Sequence, residues 1–538
     1  MRPEFFRRYG STNRSSDRLG RSISNQVLQF LLLMSNAQTQ AVRKGSSAAV
    51  AVVWTFAANQ AENLLAIANT MLLARLLSPA DFGIVAIATA VVALGEVFIA
   101  FGFDWAVLRI QNPTRAHYDT AWTLRALGGL LIFLIVCGAA WPASAILKQP
   151  QTPPLIVAIA ATGFLVSLQN IGIVDFRRHM RMDLEFRLRL AAKVAGVSAG
   201  ILTALVWRSY WALVVGLLAS RLTHTLLSYL MHGFRPRFDL SRRGELLSFS
   251  IWMLIGKLAE VFRNRFSDMW LGRNLGASSA GYYILASELS ALASGQISAP
   301  VQRVMFTRYA EQANSREMLK DAYFKVSGVV WIVAFPAAVG IGVCAEQIVM
   351  VLLGSQWSTS ATILQILAAA GLLAVMSSST YTIYMASGRP RLAANLSVLG
   401  AVMFIILTLA LGSLLGLLGV ALAQVLSWAV TFLTNLYILR SIVGVSIRLV
   451  LARAWRIAFA SAGMAVIVLL ISTLLARYQF PDLVELIVLG TVGVVCYFSL
   501  LLLLWIVSGK QAGPESDILE IAARHPLGRK LAATLGVR

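Results

Sequence analysis

The chain has 538 residues, of which 58% are hydrophobic and only 13% charged, with a mean hydropathy of +0.73. Soluble domains run nearer a quarter charged, because a globule in water must cover itself with polar groups. So little charge cannot coat a soluble surface of this size, and the surplus apolar surface must face lipid. A net charge of +22 would suit nucleic acid, but the bases fall between apolar runs rather than on one face, which argues against that partner.

The first 46 residues are polar and basic, with one apolar stretch, Val27–Met34, that is too short to span a bilayer. They read as a cytoplasmic tail or interfacial segment in preference to a signal peptide. A spanning helix needs about 20 mostly apolar residues, because lipid offers no partner to an unpaired backbone group. Fourteen intervals qualify: 47–72, 81–108, 120–147, 154–174, 187–207, 210–232, 245–270, 280–303, 324–345, 360–386, 391–412, 416–439, 456–476 and 484–508. A polar tail, 509–538, follows, in which 515–533 reads as a surface helix interrupted at Pro526. Cys137, Cys344 and Cys496 each sit in an apolar run at no useful spacing, and read as small buried hydrophobes.

Lys and Arg set the direction. With the N-terminus inside, thirty-five basic residues fall on the cytoplasmic side and five in outer loops. That bias supports an even number of spans with both ends inside.

A shift of 198 residues lays Met71–Leu77 on Met269–Leu275, Gly83 on Gly281 and Ala61-Glu62 on Ala259-Glu260. The paired Arg, Gly and Glu are the informative identities, since apolar residues match easily by chance. The shift covers six spans, an even number, so the repeats are parallel about the membrane normal. The expected fold is an all-α polytopic membrane protein: a six-helix lobe at 47–232, another at 245–440, and an extra pair at 456–508. Substrate would bind between the lobes. In the turn before span two, Ser78 reads as a cap, Pro79 as the first helical residue and Asp81 as the acid at the positive helix end.

Charges in lipid are expensive, so those retained usually face a partner or a watery cavity. Span seven holds the densest set: Lys257, Glu260, Asn264 and Asp268 fall in one arc, Arg265 borders it and Arg263 points away. Span one carries Thr55, Asn59, Glu62 and Asn69, and span six offers Arg221, His224, Thr225 and Ser228. Together they read as a polar cavity between lobes, whose cations attract a diphosphate and whose acids hold a coupling cation or proton. The blander reading pairs Lys257 with Glu260 at i and i+3, and makes His224 a hydrogen-bonded helix residue. Glu96, Asp104, Arg125, Lys193 and Glu288 stand alone on their spans and carry little weight. Pro336 in span nine predicts a kink, and Gly196 with Gly200 close helix packing. No G-x-x-x-x-G-K-[ST] loop is present in the sequence, so that ATPase machinery is not expected.

The stretch Ala74-Arg75-Leu76-Leu77-Ser78-Pro79-Ala80-Asp81-Phe82-Gly83 resembles the first periplasmic turn of the bacterial polysaccharide-transporter flippases. These belong to the multidrug/oligosaccharidyl-lipid/polysaccharide exporter superfamily. Phe176-Arg177-Arg178-His179-Met180-Arg181-Met182, followed by a span and Tyr210-Trp211-Ala212-Leu213-Val214, is similar to the subgroup serving capsule and exopolysaccharide export. The resemblance covers about 48–508 and implies a non-enzymatic flippase for undecaprenyl-diphosphate-linked oligosaccharides in the bacterial inner membrane. It implies a lipid-facing groove at the last two helices, and a polysaccharide polymerase and export machinery as partners. Charge reversal at Lys257 is expected to abolish export. A cation-coupled drug exporter of the same superfamily is the alternative, but its cavity would favour acids. A membrane glycosyltransferase, polymerase or ligase would need a sizeable outer loop, whereas the longest here, 346–359, has no Lys, Arg or His.

Overall fold

The computed structural model describes residues 59–99, 103–110, 112–247, 251–292, 315–478, 480–509 and 513–516, together with Tyr309. The expected N-terminal tail, the start of span one, the end of span eight and most of the C-terminal tail with its surface helix lie outside the described residues.

In chain order the helices are α1 (59–76), α2 (Pro79–Ile99), α3 (Phe103–Arg109), α4 (Arg115–Leu147), α5 (Thr152–Ser167) and α6 (Val174–Arg178). Then come α7 (Met182–Trp207), α8 (Trp211–Met231), α9 (Arg243–Leu247), α10 (Ile251–Asn274) and α11 (277–292). The remainder are α12 (Arg316–Val343), α13 (Ala345–Leu352), α14 (Ser358–Ala386), α15 (Pro390–Ile442), α16 (Ile447–Leu475) and α17 (Asp482–Val507). No strand occurs among the described residues, as lipid requires of an open chain that must satisfy its own backbone.

Nine of the described helices are long and apolar enough to cross a membrane, ten with the bent pair 152–167 and 171–178. That is fewer than the fourteen intervals expected, for physical reasons. α10 carries Lys257, Glu260, Arg263, Arg265 and Asp268, and α1 is rich in Asn, Gln and Glu. The described part of α11 is short. α15 folds two arms into one run: a straight helix of its 53 residues would reach about 80 Å, far beyond a bilayer. Gly416 breaks it at φ 60°, ψ −132°, where a left-handed φ suits a residue without Cβ. Ser427 then donates to the Gly400 carbonyl at 2.9 Å, so the two arms run antiparallel.

Local chemistry marks the ends as expected. Ser78 Oγ accepts from Asp81 N at 3.3 Å, and Asp81 Oδ2 accepts from Ser78 N at 2.9 Å, a reciprocal cap at the start of α2. Asp81 Oδ1 also accepts from Tyr210 N at 3.1 Å, tying that turn to the start of α8. The α5–α6 region bends by 63° at Asn170, whose side chain accepts from Gly172 N and donates to the Phe234 carbonyl at 2.8 Å.

Buried apolar residues form separate clusters. One binds α2, α4 and α5 within the N-terminal half. A large one joins α12, α14, α16 and α17. A third crosses between halves and places Leu73, Leu77 and Phe82 with Leu271, Tyr283 and Trp357. Its members gather at the arginine-poor end of the bundle, where α1 ends and α2 begins; this end is termed neutral below, and the opposite one basic.

Candidate functional site

At the neutral end the repeat appears as a physical contact. A Cβ on Gly83 would overlap the Ala277 carbonyl oxygen, and a Cβ on Gly281 would overlap that of Pro79. Both pairs are related by the 198-residue shift, so equivalent helix starts meet across a pseudo-twofold. Polar contacts fasten the same junction. Trp357 Nε1 donates to the Ala74 carbonyl at 2.8 Å, Gln356 Nε2 to the same oxygen at 2.6 Å, and Arg75 to the Val351 carbonyl at 2.6 Å. Gln149 donates to the Gly272 carbonyl at 2.9 Å. At the basic end the halves meet through His117 and Glu245, 3.0 Å apart.

Exposure along α10 follows that geometry. The Lys257 side chain is 58% exposed, Arg265 33% and Asp268 3%. The polar stripe is therefore open near the basic end of α10 and becomes buried at Asp268, toward the junction where the glycines meet. Lys257 pairs with Glu260 at 3.0 Å, both exposed, and Asn264 is exposed on the same face. Arg265 pairs with Asp268 at 3.5 Å. It also lies within electrostatic reach of Glu96 on α2 and Glu288 on α11. Glu288 is exposed. Arg263, expected to point away, is buried with its guanidinium 3.6 Å from the Trp428 ring centroid, a cation–π contact to the second arm of α15.

The N-terminal half contains a cavity of about 330 Å³, bounded by α1, α7, α8 and the α5–α6 bend. Glu62, Arg221 and His224, three of the residues singled out by polarity, line it. Asn59 sits at its edge, with its Oδ1 3.4 Å from an Arg189 nitrogen. Asn69 lies in an adjoining cavity of about 200 Å³ that shares Lys193 and Ser220 with the first. The predicted residues thus divide between this half and the α10 stripe.

Most charges in the cavity are matched. Arg189 pairs with Glu62 at 2.6 Å and Arg177 with Glu185 at 2.7 Å. Lys193 and Arg221 line the cavity as well, and among the described residues neither forms an ion pair. Glu96 lies within longer electrostatic reach of Arg221, and Glu288 of Lys193. A line of alternating charge therefore runs from Arg221 through Glu96, Arg265 and Glu288 to Lys193, joining the two halves. Two cations open to the cavity can receive an anion, because charge-assisted hydrogen bonds strengthen where water is scarce.

In the sequence Lys193, Glu96 and Glu288 stand alone on their spans, and Arg189 is one of the thirty-five bases on the cytoplasmic side. Arg189 and Lys193 share α7, Glu96 lies on α2 and Glu288 on α11, and only helix neighbourhood makes them a group. Arg125 is different: it donates to the Ser167 and Gln169 carbonyls at the end of α5 and pairs with Asp104 at 2.9 Å. It closes a helix C-terminus, where a cation is favoured.

An apolar pocket of about 360 Å³ lies between α12, α16 and α17, beside Pro336, Gly340, Met464, Gly493 and Tyr497.

These features define a multi-pass α-helical membrane protein with a charged internal cleft, the architecture of a transporter. The polysaccharide biosynthesis protein family matches residues 72–362, more than half of the sequence, and the chain belongs to it. Lipopolysaccharide biosynthesis protein WzxC of Escherichia coli is 24% identical over 73% of this chain and 80% of its own length. Succinoglycan biosynthesis transport protein ExoT of Rhizobium meliloti is 26% identical over 55% of this chain and 60% of its own length. In fold the chain is similar to lipid II flippase MurJ in an inward closed conformation, with a TM-score of 0.66 at 14% identity, covering 84% of this chain and 99% of that one.

Proposed function

We propose that the chain is a flippase that moves undecaprenyl-diphosphate-linked oligosaccharide repeat units from the cytoplasmic to the periplasmic leaflet of the bacterial inner membrane. In this reading 47–232 and 245–440 are lobes that rock about the neutral-end junction, and both termini are cytoplasmic. The observation that carries it is the cavity lined by Arg221 and Lys193, neither of which forms an ion pair among the described residues. A diphosphate matches two cations that no carboxylate contacts directly among the described residues, and the sugar occupies the cleft. The pocket of α12, α16 and α17 suits the polyprenyl chain, since apolar walls are what a hydrocarbon tail requires. The acids around Arg265 suit a coupling proton or cation, which would compete with that guanidinium for them. A polymerase and export machinery would take the product. The names of the two sequence relatives, in lipopolysaccharide and succinoglycan biosynthesis, support the substrate class.

A drug exporter for cationic compounds is less well served, because the cations left without an ion pair in the cavity would repel its substrate. Lys257 is a weaker candidate than the stripe alone implied, because Glu260 already engages its charge.

The test is complementation of a deletion strain. Hydrogen bonds to a charged group contribute about 1.5–3 kcal/mol each. Arg221→Ala with Lys193→Ala should therefore lower polymer export by at least about tenfold and accumulate lipid-linked repeat units on the cytoplasmic leaflet. Lys257→Ala should have the smaller effect. Normal export by a stably inserted double variant would defeat the assignment.

A further inference from the structure

Past the end of α17 the chain comes back to the bundle. Gly509 adopts φ +76°, and Gly513-Pro514-Glu515-Ser516, a bend leading into a helical turn, is tucked between helices, its first three residues buried. Ser516 closes the turn: its Oγ accepts from Gly513 N at 2.9 Å and donates to the Gly513 carbonyl at 2.7 Å.

Three helices hold this turn. On α12, Pro514 packs against Gly328 so closely that a Cβ there would lie 2.7 Å from the proline ring. On α16, Arg456 pairs with Glu515 at 3.3 Å, with side chains only 3% and 6% exposed. On α17, Tyr497 lies within electrostatic reach of Glu515, and its hydroxyl donates to the Ile332 carbonyl at 2.8 Å. Ile332 and Tyr497 both belong to the wall of the apolar pocket. Gly328 is one helical turn further toward the basic end, so the buried turn lies where the pocket would otherwise open in that direction.

A buried ion pair is a poor source of net stability, because desolvating two charges offsets most of their attraction. Removing one partner is far worse than releasing both together, since the survivor is left buried and uncompensated. Such a pair behaves as a two-position lock, seated as a pair or hydrated as a pair.

We infer that residues 513–516 form a plug that closes the basic end of the apolar pocket between α12, α16 and α17, with Arg456 and Glu515 as its lock and Gly328 as its seat. Withdrawal of the plug opens the pocket to the inner leaflet. That the pocket takes a polyprenyl chain rests on the function proposed above; the plug itself does not.

The test uses the full chain in membrane vesicles. With Cys137, Cys344 and Cys496 replaced by Ala, a cysteine placed by Pro514→Cys reports the seated turn through its rate of reaction with N-ethylmaleimide. Reaction should be slow, and at least about tenfold faster when Arg456→Gln removes the cation that faces Glu515. Gly328→Val, which leaves both charges intact, should accelerate it as well. The exchange Arg456→Glu with Glu515→Arg should restore slow reaction. Fast labelling in the parent, or equal rates in all variants, overturns the plug.

A second arm keeps Cys344, which lines the pocket, and measures its reaction with N-dodecylmaleimide. Arg456→Gln and Gly328→Val should each raise that rate severalfold. A turn that is released without any change at Cys344 overturns its assignment to the pocket. Neither readout uses a sugar lipid, so failure of the flippase reading would leave both results standing.

Discussion

Buried arginines in this protein divide by what lies opposite the guanidinium. Arg125 meets the carbonyls that end α5, Arg263 the face of Trp428, and Arg456 the carboxylate of Glu515. Each is consumed by structure. Arg221 lines the cavity and forms no ion pair among the described residues, and for that reason it carries the functional proposal. The linker between halves shows the same logic outside the membrane. Asp119 Oδ1 accepts from Arg237 N at 2.8 Å, and Asp239 N donates to Thr123 Oγ1 at 3.1 Å, which pins the linker across α4. Hydrogen bonds from the Ser241 N–H and hydroxyl hold the Asp239 carboxyl below its ordinary value of 3.8. A depressed carboxyl value stabilises the folded turn above the ordinary value, and that contribution is lost as pH falls through the folded one. The hydrogen-exchange protection factor of the Ser241 amide should therefore be flat from neutral pH into mild acid and fall below pH 3.8. In Asp239→Asn that acid step should vanish; an unchanged step would assign it to another group.

At the scale of elements, the close approach of α2 and α11 is set by two residues without side chains. Gly83 and Gly281 each press against a carbonyl oxygen near the start of the opposite helix. A larger residue there must move a backbone, and overpacking of this kind costs about 1–3 kcal/mol. The cost falls on the closed junction alone, so the open form should gain by about 5- to 150-fold. Gly281→Val should accordingly raise maleimide labelling of a cysteine introduced by Leu271→Cys, a position buried in the junction cluster. Unaltered labelling in a variant expressed at normal level would show that the glycines do not govern closure. The repeat that aligned these glycines was legible in the sequence. Their direct contact was not, because a shift relates equivalent positions without saying which of them touch. The two arms of α15 were legible for a similar reason: a 26-residue arm fits a bilayer and a 53-residue helix does not.

For the whole molecule, apolar packing and hydrogen bonds between halves concentrate at the neutral end, while polar side chains are exposed along the cleft toward the basic end. This asymmetry is what an alternating-access cycle would reverse. A short bifunctional thiol reagent joining cysteines at Arg75→Cys and Val351→Cys, positions bridged by a 2.6 Å hydrogen bond, should hold the junction shut. Export should stop on cross-linking and return on reductive cleavage of the bridge. Full export by completely cross-linked protein would exclude opening at this end.

A helical membrane protein with its basic loops on one side can be read from the chain alone. Those properties follow from apolar length and charge placement, which are local and additive along the chain. It also marked Glu62, Arg221 and His224 as polar groups needing an explanation. How the charges are used emerges in the folded bundle: Lys257 with Glu260, Arg263 on Trp428, Lys193 and Arg221 lining one cavity. The physical reason is that a helix turned toward a cavity and one turned toward a partner helix have the same periodicity. What distinguishes them is which other helices stand opposite, and among long helices of similar apolar character hydrophobicity leaves that choice open.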